Sequence, residues 1–483
     1  MIKSLSTGEK ALVRKSDEGQ KGYIALFDTI ARQRQFDERK IKKRLKSLGI
    51  DINYAYAKNY LTKHILKTLR EHRDGPGTGI RRQVSEVEIL MERKVHSLAE
   101  KILSKARTRA KSEERWHDFL QLSQYEMKLL LQEGGKVDDS LQRITALNAE
   151  RKQARAQLSN LGEYQDLYYT YRPVLMRKQR ARNEWDLGLI AQFREDALVQ
   201  DEGHALSARA RRIYLMCRPS MHVFSGDIEQ AENAISTLIA HYRAHSFLID
   251  DHPIDFINTL LQLGSIQLHY QAYPKVEALL HDIQTLQKDR AIHESEIFDK
   301  YYRLLTGLAL QTRNFDLIET HLEEIGQGLT LYRDSLPWSS ICTLLFMLGR
   351  LHFDHGDFEA ARGWLNQVLD QPNRGIREDI VSLSRILLIF IYLETGEFEL
   401  VESSSRATRK YLRRREQLHR FEARILKYLE TNSFHGTSRE EIDALKSLRS
   451  DLEGIFEDRL ERNVLDFFDI LSWLEGKIAK LEG

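Results

Sequence analysis

The chain is poor in cysteine: two in 483 residues, Cys217 and Cys342. They lie far apart and form no CxxC pair. Neither a disulfide framework nor a thiolate zinc site is indicated, and a reducing compartment is the simpler setting. Proline is scarce as well, seven in all, with Pro76 the only one before Pro173. That scarcity favours long uninterrupted helices over a β-rich fold. Long apolar runs are missing. The longest, Ile386–Leu393, has eight residues, against the roughly 20 that a membrane-spanning helix needs. The N-terminal MIKSLSTGEKALVRKS is basic but has no apolar secretory core. These absences point to a cytoplasmic protein without a membrane partner.

Signatures of chemistry are also missing. There is no GxxxxGK[ST] phosphate loop, no HExxH, no GxSxG and no dinucleotide GxGxxG. Gly75-Pro76-Gly77-Thr78-Gly79 lacks the lysine of a phosphate loop, and residues 74–80 read as a linker. His241 and His245 stand at i, i+4 with Asp250, Asp251 and His252 just beyond, and these are legitimate ligand types for zinc or iron. A chain with 17 histidines produces such pairs by chance, so they are taken as polar loop residues. His352, Asp354 and His355 are read as a hairpin turn. No catalytic, cofactor-binding or metal-ligating residue is assigned. No cofactor is expected, and the chain reads as non-enzymatic.

What the chain has in quantity is charge, unevenly placed. Residues 1–110 carry 26 Lys/Arg against 13 Asp/Glu, a net +13; residues 201–400 carry 17 against 28, a net −11. The acidic stretch favours a partner segment with basic groups. The basic end makes nucleic acid a less favoured second partner. Lys40–Leu48, Gly49 and Tyr54–Arg70 have the layout of a helix-turn-helix with Lys42, Lys43, Lys58, Lys63 and Lys67 for phosphates, but Arg44 and Lys58 fall where that motif buries apolar residues. Arg406, Arg409, Lys410, Arg413, Arg414, Arg415 and Arg420 have a single aromatic, Tyr411, among them rather than a stacking platform, and read as a solvated helix face.

Periodicity places helices throughout. Ser6 to Glu9 has capping-box spacing, and helices are expected over Tyr23–Arg32, Asp37–Leu48 and Asn53–His72. Another stretch runs from Val84 to about Gln132, broken by Gly134-Gly135, and two long helices follow at Ser140–Leu161 and Leu175–Leu198. Tyr164, Tyr168, Tyr169 and Tyr171 with Arg172 form a dense aromatic and cationic group, the composition of a binding hot spot, and are taken as candidate partner-binding residues.

From Ile228 onward one pattern recurs five times. Its anchors are Ile228, Tyr273, Phe315, Phe358 and Phe398, spaced 45, 42, 43 and 40 residues apart. Apolar residues follow at offsets 3, 7 and 10, for example Ala361, Leu365 and Val368, which keeps one helix face inward. Leucine stands ten residues before four anchors, at Leu263, Leu305, Leu348 and Leu388. Gly264 and Gly349 follow two of them, where a neighbouring helix can come close. These positions are the expected repeat-packing residues. Arg218 and Pro219 interrupt the first unit's opening helix, and Ser405 and Thr408 replace apolar residues in the fifth.

On Leu348-Gly349, Gly356, Phe358, Ala361, Leu365 and Pro372, the stretch Leu345–Pro372 resembles a tetratricopeptide repeat. HEAT-type repeats, which share the longer period, are the minor alternative. The resemblance implies an all-α, right-handed α-solenoid of TPR-like helix hairpins whose concave face holds a protein or peptide partner. A second resemblance covers about Ile2–His72. Leu26-Phe27-Asp28, Asp37-Glu38, Lys58-Asn59-Tyr60-Leu61 and Leu69-Arg70 are similar to the opening of large uncharacterised helical-repeat proteins of Bacteroidota. It implies a bacterial setting and no particular activity.

The expected organisation is a basic helical region at 1–73, the linker at 74–80, a long-helix or degenerate-repeat region at 81–200, the repeat array at 201–432, and capping helices at 433–483. A loop is expected at Ser433–Ser438. The last helix, Glu461–Leu481, is rich in apolar residues and is read as the cover over the array's exposed end, with a homodimer seam as the alternative. The expected function is a scaffold or adaptor, the alternative a regulator whose basic N-terminal helices bind nucleic acid.

Overall fold

The computed structural model describes all residues except 3, 4, 6, 17–20, 34–36, 51, 73–75, 133–136, 178, 179, 290–293, 371–376, 432–437 and 483. Ser6, Asp74, Gly75, Gly134, Gly135, Pro372 and most of the loop expected at 433–438 lie outside the described residues. Among the described residues every regular element is a helix and no strand occurs.

Four helices open the chain: α1 (Thr7–Lys15), α2 (Lys21–Arg32), α3 (Glu38–Ser47) and α4 (Tyr54–His72). Asp37 starts α3 by accepting a hydrogen bond from the Lys40 amide at 3.0 Å. Ile41 and Leu45 of α3, and Ala57, Leu61 and Ile65 of α4, recur every fourth residue and close on Leu26 and Phe27. Arg44 and Lys58 are both exposed, so the helix-turn-helix register is not adopted.

A second small core follows, in α5 (Pro76–Glu92), α6 (His96–Ser112) and α7 (Trp116–Leu130), around Ile80, Val84, Leu103, Ala106 and Phe119. Pro76–Gly79, expected in the linker, form the first turn of α5. Proline is tolerated there because its missing N–H has no helical partner. The next element corrects a second expectation. Residues 137–177 form one helix of 41 residues, α8 (Val137–Arg177), roughly 60 Å long, rather than two. Pro173 sits in its last turns, where it removes a single backbone hydrogen bond. Two short helices, α9 (Glu184–Arg194) and α10 (Ala197–Gln200), replace the expected continuation to Leu198.

The repeated pattern becomes a series of helix pairs: α11 (Ala208–Ser225) with α12 (Ile228–Ala244), then, after α13 (Ser246–Asp251), α14 (Pro253–His269) with α15 (Tyr273–Asp289). The third is α16 (Glu294–Thr312) with a second helix broken into α17 (Asp316–Glu319) and α18 (Leu322–Leu331). The last are α19 (Trp338–His355) with α20 (Phe358–Leu369), and α21 (Glu378–Glu394) with α22 (Phe398–Arg414). From α14 onward, first helices pack on one another, α14 on α16, α16 on α19 and α19 on α21, while second helices pack on the first helices flanking them. Every anchor starts a second helix or stands at its cap. Gly226 and Gly356 turn two of the hairpins at φ +77° and +86°, a backbone region that glycine enters cheaply.

Packing follows the pattern closely. Ala361, Leu365 and Leu348 are buried, as are Leu305 and Leu388, while Leu263, Phe358 and Phe398 are half-buried against the same core. A Cβ on Gly264 would stand 2.6 Å from Leu304 Cδ1, and one on Gly349 would stand 2.8 Å from Leu365 Cδ2. Arg218 and Pro219 do not interrupt α11. Arg218 lies over the Tyr214 ring at 5.6 Å, and buried Ile213, Leu215, Met221 and Phe224 on both sides of Pro219 outweigh one lost backbone bond. Ser405 and Thr408 are also buried, and the Ser405 hydroxyl donates to the Val401 carbonyl at 2.6 Å.

After α23 (Arg420–Thr431) and α24 (Ser438–Ile455) the chain turns back. Glu461–Leu481 is not one helix but α25 (Arg459–Arg462), a 3-10 turn (Asn463–Asp466) and α26 (Ile470–Glu482). Nor does it only cover an end. Arg459 donates to the Ser225 carbonyl and Asp227, each at 2.6 Å, and the Asn463 side chain donates to the Ala181 carbonyl at 2.9 Å. Phe468 packs between Phe353 and Phe390, and Trp473 lies edge-on to Phe390 while donating to Glu394 at 3.1 Å. One apolar core therefore runs from Tyr164 to Ile478.

At the closure Arg182 reaches Glu422 at 3.0 Å and Glu461 at 3.5 Å, all three buried. Glu461 also accepts from the Arg420 and Phe421 amides at the start of α23, at 2.8 and 3.2 Å. Glu461→Ala strands those amides and part of the arginine. It is expected to cost about 3 kcal/mol in urea unfolding, whereas Glu402→Ala on the solvated face of α22 changes stability little.

Candidate binding groove

The first helices α11, α14, α16, α19 and α21 line a groove of about 520 Å³, with Leu175 and Arg180 at one margin and Phe467 of the returning C-terminal segment at another. Its apolar floor includes Leu261, Leu304, Phe346 and Met347. Four arginines open onto it, Arg180, Arg303, Arg350 and Arg377, and no aspartate or glutamate is among the lining residues. The described lining thus presents guanidinium groups, while Asp299, Asp354 and Asp379 stand behind three of them.

Each arginine is oriented from behind. Arg377 has a left-handed backbone, φ +52°, and makes a two-point contact with Asp379 at 3.0 and 2.9 Å while donating to the Thr343 hydroxyl at 2.7 Å. Burial alone would favour loss of its proton, but Asp379 outweighs that and holds the guanidinium charged. Arg350 donates to the Phe467 carbonyl at 2.7 Å and stands 3.4 Å from Asp354. Arg303 meets Asp299 through Nε at 3.4 Å. Burial works against the charge on Asp299, but Arg303 and Lys300 prevail and hold the carboxyl below its usual range. Among the described residues the terminal amino groups of Arg303 have no partner closer than the Nε contact to Asp299. A planar guanidinium offers five donors, so Arg303 retains free capacity for an anionic oxygen. Arg180 donates to the Val223 carbonyl at 2.5 Å at the margin.

The aromatic group on α8 does not form one surface. Tyr164 is wholly buried with its hydroxyl on the Leu198 carbonyl at 3.0 Å, and Tyr171 stacks on Phe193 at 3.9 Å. Tyr168 is partly buried beneath Arg172, which lies 5.2 Å over its ring, and Tyr169 alone is well exposed. Tyr164 is thus a core residue with no surface to offer a partner, while Tyr171 is half-buried against the same core. A helix spreads residues 164 to 172 around two turns, and the faces meeting α9 and α10 are consumed by packing.

His241 Nε2 sits 2.9 Å from the Ala208 carbonyl, and Asp251 pairs with both Arg115 and Arg209. Asp251 therefore ties α13 to the second core, and no group of three ligands suited to a metal occurs among the described residues. Three members of the arginine run on and just after α22 are paired: Arg409 with Glu430 at 2.9 Å, Arg415 with Glu378 at 3.3 Å and Arg406 with Glu402 at 3.2 Å. Burial raises both cysteine thiols to about 12, so neither is a reactive thiolate. No helix among the described residues is long and apolar enough to cross a membrane.

No family model matches the chain, and neither does any curated protein or solved structure.

Periodicity identified the helices that line the groove but not its charge. Arg303, Arg350 and Arg377 are isolated in sequence, and only stacking brings them together. At the other end of α14 from the groove, His252 has its imidazole lowered to about 4 by burial and then by Arg212, against the opposing pull of Asp255. An unfolded imidazole takes up its proton near 6.5, so between about 6.5 and 4 the unfolded chain binds more protons. Stability is therefore expected to fall as pH drops through that window. His252→Gln should flatten the acid slope, measured by urea unfolding at neutral pH and near pH 5.

Proposed function

We propose that this chain is a non-enzymatic scaffold or adaptor, built as a right-handed TPR-like solenoid, that holds a protein or peptide partner in the groove of its first helices. The observation that carries the reading is the arginine lining without a facing carboxylate. It favours an extended, acidic partner segment, the opposite of what net charge alone suggests. Apolar side chains of that segment would rest on Phe346 and Met347 while its carboxylates meet Arg303 and Arg350. The groove belongs to the assembled chain because Phe467, between the 3-10 turn and α26, lines it together with the first helices. The resemblance to tetratricopeptide repeats supports the same use of the first helices.

The test is a panel of acidic, neutral and basic peptides titrated against the full chain by fluorescence anisotropy. Acidic peptides should bind, more tightly at low salt. Arg303→Glu should weaken them about tenfold or more, while Arg406→Glu on α22 leaves them unchanged. Equal affinity across the panel, or no effect of Arg303→Glu, would reject the reading.

The second reading is nucleic-acid binding by the N-terminal helices. It rests on Lys40, Lys42, Lys43, Arg44 and Lys46, all exposed on the ten-residue α3. Duplex DNA binding that weakens steeply with salt, and is lost in Lys43→Glu/Lys46→Glu, would support it; salt-insensitive or absent binding would remove it.

A further inference from the structure

A second cavity, of about 320 Å³, opens between the N-terminal half of α16 and the C-terminal half of α18. Its walls are aromatic: Phe298, Tyr301, Tyr302 and Tyr332, with neighbouring ring centroids 5.1 to 5.4 Å apart. Gly328 lets the two helices meet here, since a Cβ at that position would run into the Phe298 ring. Glu294 and Glu324 stand in the same lining, and neither lysine nor arginine does. Glu294 accepts from the Tyr332 hydroxyl at 3.4 Å, and Glu324 stands 3.7 Å from His321, its one basic neighbour among the described residues.

We propose that this cavity binds an organic cation, an alkylammonium or guanidinium head. Four aromatic rings and two carboxylates that have no Lys or Arg partner among the described residues are complementary to such a group. Ring faces carry negative potential, and a weakly hydrated cation exchanges little water on entering an aromatic site. A neutral or anionic group gains nothing from the two glutamates. The carbonyl end of α18 adds negative partial charge, and the opposing N-terminal end of α16 is offset by Glu294 and Glu296. Burial and then Glu324 push the Tyr302 phenol upward, and burial and then Glu294 do the same to Tyr332, as expected where negative charge is already present. The site is separate from the arginine groove and does not depend on its reading.

The experiment titrates the full chain with butyltrimethylammonium, butylammonium and butylguanidinium, with 3,3-dimethylbutanol as the uncharged counterpart, followed by calorimetry and by the tyrosine ring resonances. A parallel arm uses a lysine-containing peptide against its norleucine analogue, which separates a free small cation from a partner's side chain. Saturable binding of the cations, or of the lysine peptide alone, with the uncharged counterpart about tenfold weaker or worse, is the expected result. Glu294→Gln/Glu324→Gln should reduce it about tenfold while leaving the melting temperature unchanged, and Arg303→Glu should not affect it. Equal binding of the uncharged counterpart, no saturable binding of any cation or lysine peptide, or full binding by the double glutamine variant would each overturn the proposal.

Discussion

The arrangement depends on one buried arginine. Arg182 lies between Glu422 and Glu461, joining the segment after α8 to the start of α23 and to α25. Two buried carboxylates around one guanidinium carry a heavy desolvation cost. That cost is offset only where further donors satisfy the remaining oxygens. Here the amides of Arg420 and Phe421 do so. The network ties the segment before α9 to α23 and α25, elements far apart in the chain.

The tie defines what the groove is. In an open stack the concave face is bounded by first helices alone, and its length equals the stack's. Here the Phe467 carbonyl is held by Arg350, and Phe468 and Trp473 pack against Phe353 and Phe390. The C-terminal segment thus packs on α19 and α21, and its Phe467 lines the recess beside Arg350. The cationic recess and the acidic aromatic cavity between α16 and α18 lie on one stretch whose net charge is negative. Net charge describes neither, because a stacked helix sorts its charged residues by face.

Much of the fold was legible in the residues. The anchors from Ile228 to Phe398 each begin a second helix or its cap, since turn chemistry and inward spacing are local properties. Two misreadings share a physical cause. Pro76 reads as part of a linker and Pro219 as interrupting a helix, yet both lie within helices. The cost of a proline depends on its position in the helix and on the packing around it, and neither is visible in the residue itself. The apolar run at Glu461–Leu481 was recognised as a covering element, but not what it covers. Val464, Phe468, Ile470 and Leu474 are hydrophobic in any destination.

The sequence by itself determined the helices, their inward faces and the absence of recognisable catalytic motifs, because these follow from spacing within a few turns. Tertiary structure decided which residues of α8 are exposed, where the C-terminal segment lies and how charge is distributed. Arg182 and Glu461 are separated by 279 positions, and no local period links them. Their meeting depends on the accumulated geometry of every helix pair between them. For the same reason the candidate site, which is built across five helices, was written in the chain as residues but not as a place.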